Sequence, residues 1–308
     1  MTFIVRSAEI SKYGQYPGSR SVEELLSNGI IILDKWQGPT SHDVASIVKK
    51  VLGRAKSGHA GTLDPMVSGI LVIALDNACK VLPALQKQDK EYVGVMHLHK
   101  AVDDKKLALA IKKITGEITQ RPPVRSAVAR RERKRTVYSF DILERKENDV
   151  LFRVRCEAGT YVRLLCHAIG QHVGGAHMKE LRRTAVGAFS ESRAVKIHDL
   201  ADAYADWKES GIEEIRNCVL PVEAAVEGIG KIIIKDSAVY SVSKGSPLYG
   251  GGISRIESTI KKGDLVALLT LRGELVALAR SEIDATQRNR SVAARVERVI
   301  MTEGYPKV

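Results

Sequence analysis

Two unbroken apolar stretches, Gly29-Ile30-Ile31-Ile32-Leu33-Asp34 and Ile70-Leu71-Val72-Ile73-Ala74-Leu75, constrain this chain more than any other feature. Runs of that length without polar alternation read as short, buried strands. Between them, Val44, Ile47, Val48, Val51 and Leu52 recur at the spacing of one helical face. Thr40 or Ser41 is placed to cap that helix, and Gly53 to close it. The glycine-rich turn Gly58-His59-Ala60-Gly61 then leads through Thr62-Leu63-Asp64-Pro65 into the second run.

Further along, Tyr92 to His99 alternates, with Tyr92, Gly94, Met96 and Leu98 on one side. Leu107, Ile111 and Ile114 mark a helix ended by Gly116, and Gln120-Arg121-Pro122-Pro123 must be extended. Val150 to Glu157 alternates again, Phe152, Val154 and Cys156 opposing Arg153, Arg155 and Glu157. After the turn Ala158-Gly159-Thr160, apolar side chains at Tyr161, Leu164, Leu165, Ala168 and Ile169 predict a helix starting at Tyr161. Beyond residues 205–228 the pattern turns β-rich, over Lys231 to Lys235, Asp264 to Thr270 and Leu275 to Ala279. A chain of 308 residues suits two domains. The expectation is an α+β protein with an arm over residues 1–20, a larger domain over 21–225 and a small β domain over 226–308.

The charge balance narrows the partner. Forty-eight Lys and Arg against 36 Asp and Glu leave +12, which favours a polyanion, with nucleic acid first. Arg130-Arg131-Glu132-Arg133-Lys134-Arg135, flanked by Arg121, Arg125 and Tyr138, is dense enough to neutralise several phosphates, or else is a solvated face. With 44% apolar and 27% charged residues, the chain reads as globular. Its longest apolar run falls far short of the ~20 residues of a membrane span, and the N-terminus lacks the apolar core of a secretory signal, so an intracellular protein is expected. Cys79, Cys156, Cys166 and Cys218 show no metal or disulfide spacing, and His97 with His99 lack a third ligand nearby; no metal site is expected.

Among candidate site residues, Asp64 is the most informative carboxylate. Pro65 biases it toward an extended backbone, and glycines at 58, 61 and 69 permit close approach, although Asp-Pro also opens ordinary turns. Arg163 falls in the first turn of its helix, where an anion is already favoured; its alternative is a surface arginine paired with a nearby carboxylate. Tyr92 and Tyr161 each open an element at a loop edge, placed either to stack on an unstacked base or to pack in the core.

Taken together, these segments resemble the TruB family of pseudouridine synthases, and within it the dyskerin-type catalytic subunit of box H/ACA ribonucleoprotein particles, over nearly the whole chain. Gly29 to His42 resembles the first family motif, and Gly58 to Leu71 the second, which makes Asp64 the implied catalyst. Lys90 to Gly94 resembles the segment whose tyrosine packs on the target base, and Cys156 to Arg163 the motif whose arginine pairs with the aspartate. Leu181 to Gly187 resembles a stretch beside the cleft, and Ile232 to Ala279 is similar to a PUA domain, an RNA-binding β-barrel. One departure is Trp36, where the family usually has proline.

The resemblance implies a mainly antiparallel catalytic domain with a PUA domain, the arm packing on the latter. It implies isomerisation of uridine to pseudouridine without a cofactor, with Asp64, Arg163 and Tyr92 catalytic and His59, Tyr161, Lys35 and Leu181 holding substrate. Asp64 would attack C1′ or take a proton from C2′. Expected RNA contacts are Arg125, Arg130, Arg131, Arg133, Lys134 and Arg135, with Lys235 and Lys244 in the PUA region. The implied partners are a box H/ACA guide RNA, an rRNA or tRNA substrate and small accessory proteins, with the cytoplasm as location. A stand-alone tRNA enzyme and a noncatalytic RNA-binding scaffold are the alternatives.

Overall fold

The continuous apolar character of residues 30–33 and 70–75 has a direct structural cause: the antiparallel strands Gly29–Lys35 and Ser68–Leu75 that hold them are covered on both faces. The structure, a computed structural model, describes residues 2–122, 131–287, 291–302 and 305–306. Ile31, Leu33, Leu71 and Ile73 meet Val44, Val48 and Leu52 of the helix Ser41–Val51 together with Leu200. Ile30, Ile32, Ile70 and Val72 face the other way, into a cluster with Ile233, Leu269, Leu275 and Ile300. Period-2 alternation is absent because neither face is wet.

Among the described residues the larger sheet has ten strands. Its path runs Leu220–Pro221, Gly29–Lys35, Ser68–Leu75, Ala176–Val186, Lys90–Leu98, Asp149–Cys156, Arg133–Lys146 and Gly116–Gln120. Along this path the pairing is antiparallel, except at one place. Ser68 and Gly69 lie parallel to Arg182 and Arg183, joining the sheet's two halves through a contact only two residues long. Gly69 has φ +98°, and a Cβ there would stand 2.2 Å from the Arg183 carbonyl oxygen, so the seam admits only glycine. The larger half carries the helices Asp104–Ile114 and Val162–Val173 on one face.

The second sheet, of seven strands, runs Phe3–Val5, Ile253–Glu257, Gly230–Ile234, Leu265–Leu269, Leu275–Ser281, Val292–Val299 and Leu248–Tyr249. Phe3–Val5 lies at its edge, antiparallel to Ile253–Glu257. The arm stays on this sheet further along, where Ser11 donates to Asp236 (2.9 Å) and Glu9 meets Lys235 (3.1 Å). Residues on both sides of position 226 share one apolar cluster, so the two sheets bury a common core.

At the edge of that core, Arg20 donates to both carboxylate oxygens of Glu223 (2.7 and 2.9 Å), and Glu223 accepts the Leu275 amide at 2.8 Å. Both side chains are nearly buried, so removing the arginine leaves a carboxylate without its counter-ion. Arg20→Met is expected to cost about 3 kcal/mol, with Arg20→Met/Glu223→Gln recovering part of it; urea unfolding curves of the two variants check this.

Candidate active site

The turn that carries Asp64 is held from beneath by three buried side chains. Ser41 Oγ accepts the Leu63 amide at 2.8 Å and donates to the Leu63 carbonyl at 3.1 Å. Lys35, with no exposed surface, donates its ammonium to the carbonyls of Trp36 (2.9 Å), Pro65 (3.2 Å) and Val67 (2.9 Å). Arg183 is likewise buried and donates from Nη2 to Gly61 O (3.0 Å) and from Nε to Ile70 O (2.8 Å). The turn closes on itself where the Val67 amide donates to Asp64 O at 2.9 Å. Its backbone from Gly61 to Val67 is thereby fixed, and the Asp64 side chain projects from a rigid base.

Arg163 comes from the opposite side. Gln120 uses its amide twice, donating to Tyr161 O (3.2 Å) and accepting from Tyr161 N (2.9 Å), which fixes the entry to the helix Val162–Val173. Arg135 pairs with Glu157 at 3.3 Å beside the Gly159 turn, and Glu157 also accepts the Thr136 amide. So braced, Arg163 Nη2 stands 3.6 Å from Asp64 Oδ2, with 52% of one side chain and 54% of the other exposed. A pair this open contributes less than about 1 kcal/mol to folding. Its exposure leaves both groups accessible to a docking molecule.

Below them the floor is buried and cationic. Tyr92, 9% exposed, lies beside the Arg183 guanidinium, and burial pushes its phenol up. Leu181 (7% exposed) shares the buried face of the strand Ala176–Val186 with Arg183. Lys90, 5% exposed, donates to the carbonyls of Gln86 and Gln88, and burial, with Arg183 adding to it, pulls its ammonium down to about 8. Burial lowers Lys35 as well, Arg183 adding to the effect and Asp64 opposing it. His59 Nε2 is 3.3 Å from Thr62 Oγ1, and burial, then His42 and Arg183, push its imidazole below its ordinary range. His59 is therefore a neutral hydrogen-bonding group at neutral pH.

Several expected contacts fall elsewhere. Lys35 is no substrate ligand, because its ammonium is enclosed by three carbonyls. Tyr92 and Leu181 lie in the apolar cluster under the site, not on an open shelf. Lys134 is paired with Glu117 (2.8 Å), Arg135 with Glu157, and Lys235 with Glu9 of the arm, so these three are engaged within the protein. Lys244 is exposed, 6.0 Å from the centre of the Tyr240 ring, while Arg131 and Arg133 lead into the strand Arg133–Lys146. Arg125 and Arg130 lie outside the described residues. Ser41, Gln120, Lys90 and Arg183 were not named as site residues, although Lys90 and Arg183 fall in segments that the resemblance placed at the cleft. Among the described residues no three His, Cys, Asp or Glu side chains are placed to hold a metal ion.

Comparison with known proteins gives the family of the chain. Residues 49–162 match the TruB family pseudouridylate synthase (N terminal domain), and residues 163–227 the tRNA pseudouridylate synthase B C-terminal domain. The chain is 48% identical over 313 residues to a probable tRNA pseudouridine synthase B of Methanopyrus kandleri, covering 99% of this chain and 93% of that protein. This chain belongs to the TruB family. A probable tRNA pseudouridine synthase B of Pyrococcus abyssi is 50% identical, over 96% and 91% of the two chains. Residues 230–300 of this TruB-family chain match the PUA domain and residues 3–45 the DKCLD (NUC011) domain. It superposes with a TM-score of 0.92 and 45% identity on a chain from a structure of an H/ACA RNP bound to a substrate RNA containing 2′-deoxyuridine, covering 99% and 96%. A chain from the crystal structure of a Cbf5-Nop10-Gar1 complex gives 0.92 and 47%, covering 97% and 94%.

Lys90 gives the TruB-family site a pH signature. The unfolded chain keeps this proton up to the ordinary value of 10.5, and the folded chain only to about 8. Between those values the unfolded state binds more protons, so Lys90 makes stability rise with pH there, by at most about 1.4 kcal/mol per unit. Lys90→Met is expected to remove that rise, measured as the difference in urea-unfolding free energy between wild type and variant from pH 8 to 10. The turn supports a second expectation: Lys35→Met, which strips three carbonyls of their donor, lowers kcat far more than substrate affinity in single-turnover assays.

Proposed function

We propose that this chain isomerises uridine to pseudouridine in ribosomal RNA, as the catalytic member of a guide-RNA particle working in the cytoplasm. The observation that carries this reading is the open apposition of Asp64 and Arg163 above a fixed, buried cationic floor. An exposed pair gains strength when a nucleotide displaces water from it, so the site is completed by its own substrate. A uridine in a stacked helix cannot reach a carboxylate held on a rigid turn; the base must be extruded first.

In the reaction the C1′–N1 bond breaks, the uracil turns, and C5 joins C1′ while the C5 proton leaves and N1 takes one up. Atoms balance without a cofactor. Asp64 meets the sugar at C1′ or at the C2′ proton, with Arg163 fixing its direction. Tyr161 lines the entry to the helix that carries Arg163, and His59, in its neutral state, offers a hydrogen bond to the displaced nucleotide.

The solved relatives carry the names of their particles: one holds an H/ACA RNP with substrate RNA, another a Cbf5-Nop10-Gar1 complex. For this chain the corresponding partners are a guide RNA and small accessory proteins. A second reading, direct action on transfer RNA, is favoured by the names of the relatives, which are probable tRNA pseudouridine synthases. Turnover of bare transfer RNA without guide supports that second reading, and its absence supports the first.

Asp64→Asn is expected to lower tritium release from 5-labelled uridine by roughly a thousandfold or more, with RNA affinity unchanged within a few fold. Normal turnover by this variant would remove Asp64 from the chemistry.

A further inference from the structure

A small basic pocket lies next to the turn, outside the Asp64–Arg163 pair. It is a cavity of about 200 Å³, lined by His42, Ser46 and Lys49 of the helix Ser41–Val51 and by Lys56, Ser57, Gly58 and His59 across from it. The helix presents His42, Ser46 and Lys49 at successive i, i+4 and i+3 steps, so they share one face. On the facing strand Ser57–Ala60, alternation puts Ser57 and His59 on the same side, and Ser57 Oγ ties that side to the helix by donating to Ala45 O at 2.8 Å. Gly58, between them, adds no side chain. Lys49 and Lys56 thus stand at a concave site with two imidazoles and two hydroxyls, and no carboxylate lines it.

We propose that this pocket binds one phosphodiester of the substrate strand, beside the uridine being turned out; the proposal rests on the reading of the site given above. Three features select that ligand. The lining is cationic and rich in donors, which suits a singly charged oxyanion. The cavity is too small for a whole nucleotide but accommodates a phosphate with its flanking oxygens. His59 belongs at once to this pocket and to the turn, where it meets Thr62, two residues before Asp64. Extruding a nucleotide swings its phosphates out of helical register, so a backbone anchor one step from the catalytic turn holds the strand in the extruded form. Lys49 and Lys56 supply the charge, and the neutral His59 supplies a hydrogen bond.

The test uses the chain assembled with guide RNA and a short substrate RNA, comparing wild type, Lys49→Gln/Lys56→Gln, and Lys112→Gln/Lys113→Gln, which removes the same charge from the helix Asp104–Ile114. Substrate affinity is measured across salt concentrations, and tritium release in parallel. The Lys49/Lys56 variant is expected to flatten the plot of log affinity against log salt by about one and to raise KM roughly tenfold, with guide-RNA affinity unchanged. Lys112/Lys113 substitution is expected to leave the slope in place. An unchanged slope in the Lys49/Lys56 variant, an equal change in both variants, or a loss of guide affinity in place of substrate affinity would each overturn the proposal. Failure of wild type to release tritium would instead overturn the assigned reaction, while the salt slopes would still decide the pocket.

Discussion

The hydrogen bonds from buried cations to the carbonyls of one short turn govern this site. Lys35 and Arg183 between them hold Gly61, Pro65 and Val67, and Arg183 reaches on to Ile70. A buried ammonium or guanidinium is costly unless each donor finds an acceptor, and a turn has carbonyls to spare because its backbone is not used in a sheet. Each solves the other's problem. The turn is rigid, the cations hold its carbonyls, and the half-exposed Asp64 is the anion close to Lys35 among the described residues. Their placement follows from the seam, where Ser68 and Gly69 meet Arg182 and Arg183 and the sheet's halves part to leave room for the turn.

How far this was legible in the sequence depended on whether a residue's role follows from its neighbours in the chain. The strands Gly29–Lys35 and Ser68–Leu75 and the helix capped by Thr40 announce themselves by local pattern, and the structure carries them with the capping box between Thr40 and Asp43 in place. Ala176–Val186 was silent: two register shifts in its pairing with Lys90–Leu98 break the alternation, and it places an arginine on its buried face. The helix Ile197–Ser210 buries only Leu200 and Ala203 fully, too few to make a stripe. Lys35 was assigned to substrate through the family resemblance, and the structure gives its ammonium to three carbonyls. Extending the period of Ile31 and Leu33 by one step places it inside, as extending Leu181 places Arg183. The meeting of Asp64 with Arg163 had no local signal and rested on resemblance alone.

The apolar core common to both sheets bears on how RNA is handled. Ile30, Ile32, Ile70 and Val72 pack with Ile233, Leu269 and Leu275, and the Arg20–Glu223–Leu275 bridge closes the edge. Because they share this core, the PUA sheet and the turn that carries Asp64 keep a fixed separation. RNA held by one is presented to the other at constant distance, and flexibility must come from the RNA. The arm, pinned through Phe3–Val5 and Ser11, also places Glu9 against Lys235.

The central claim is that a turn fixed by buried cations presents Asp64 to the sugar of an extruded uridine. The most direct measurement is the distance from the Asp64 carboxylate to C1′ of the target uridine in a structure of this chain with guide and substrate RNA. The account predicts ~3–3.5 Å, with Arg163 still opposite the carboxylate and the turn from Gly61 to Val67 unmoved. A target uridine left in its stack, or a sugar seated far from Asp64, would contradict it.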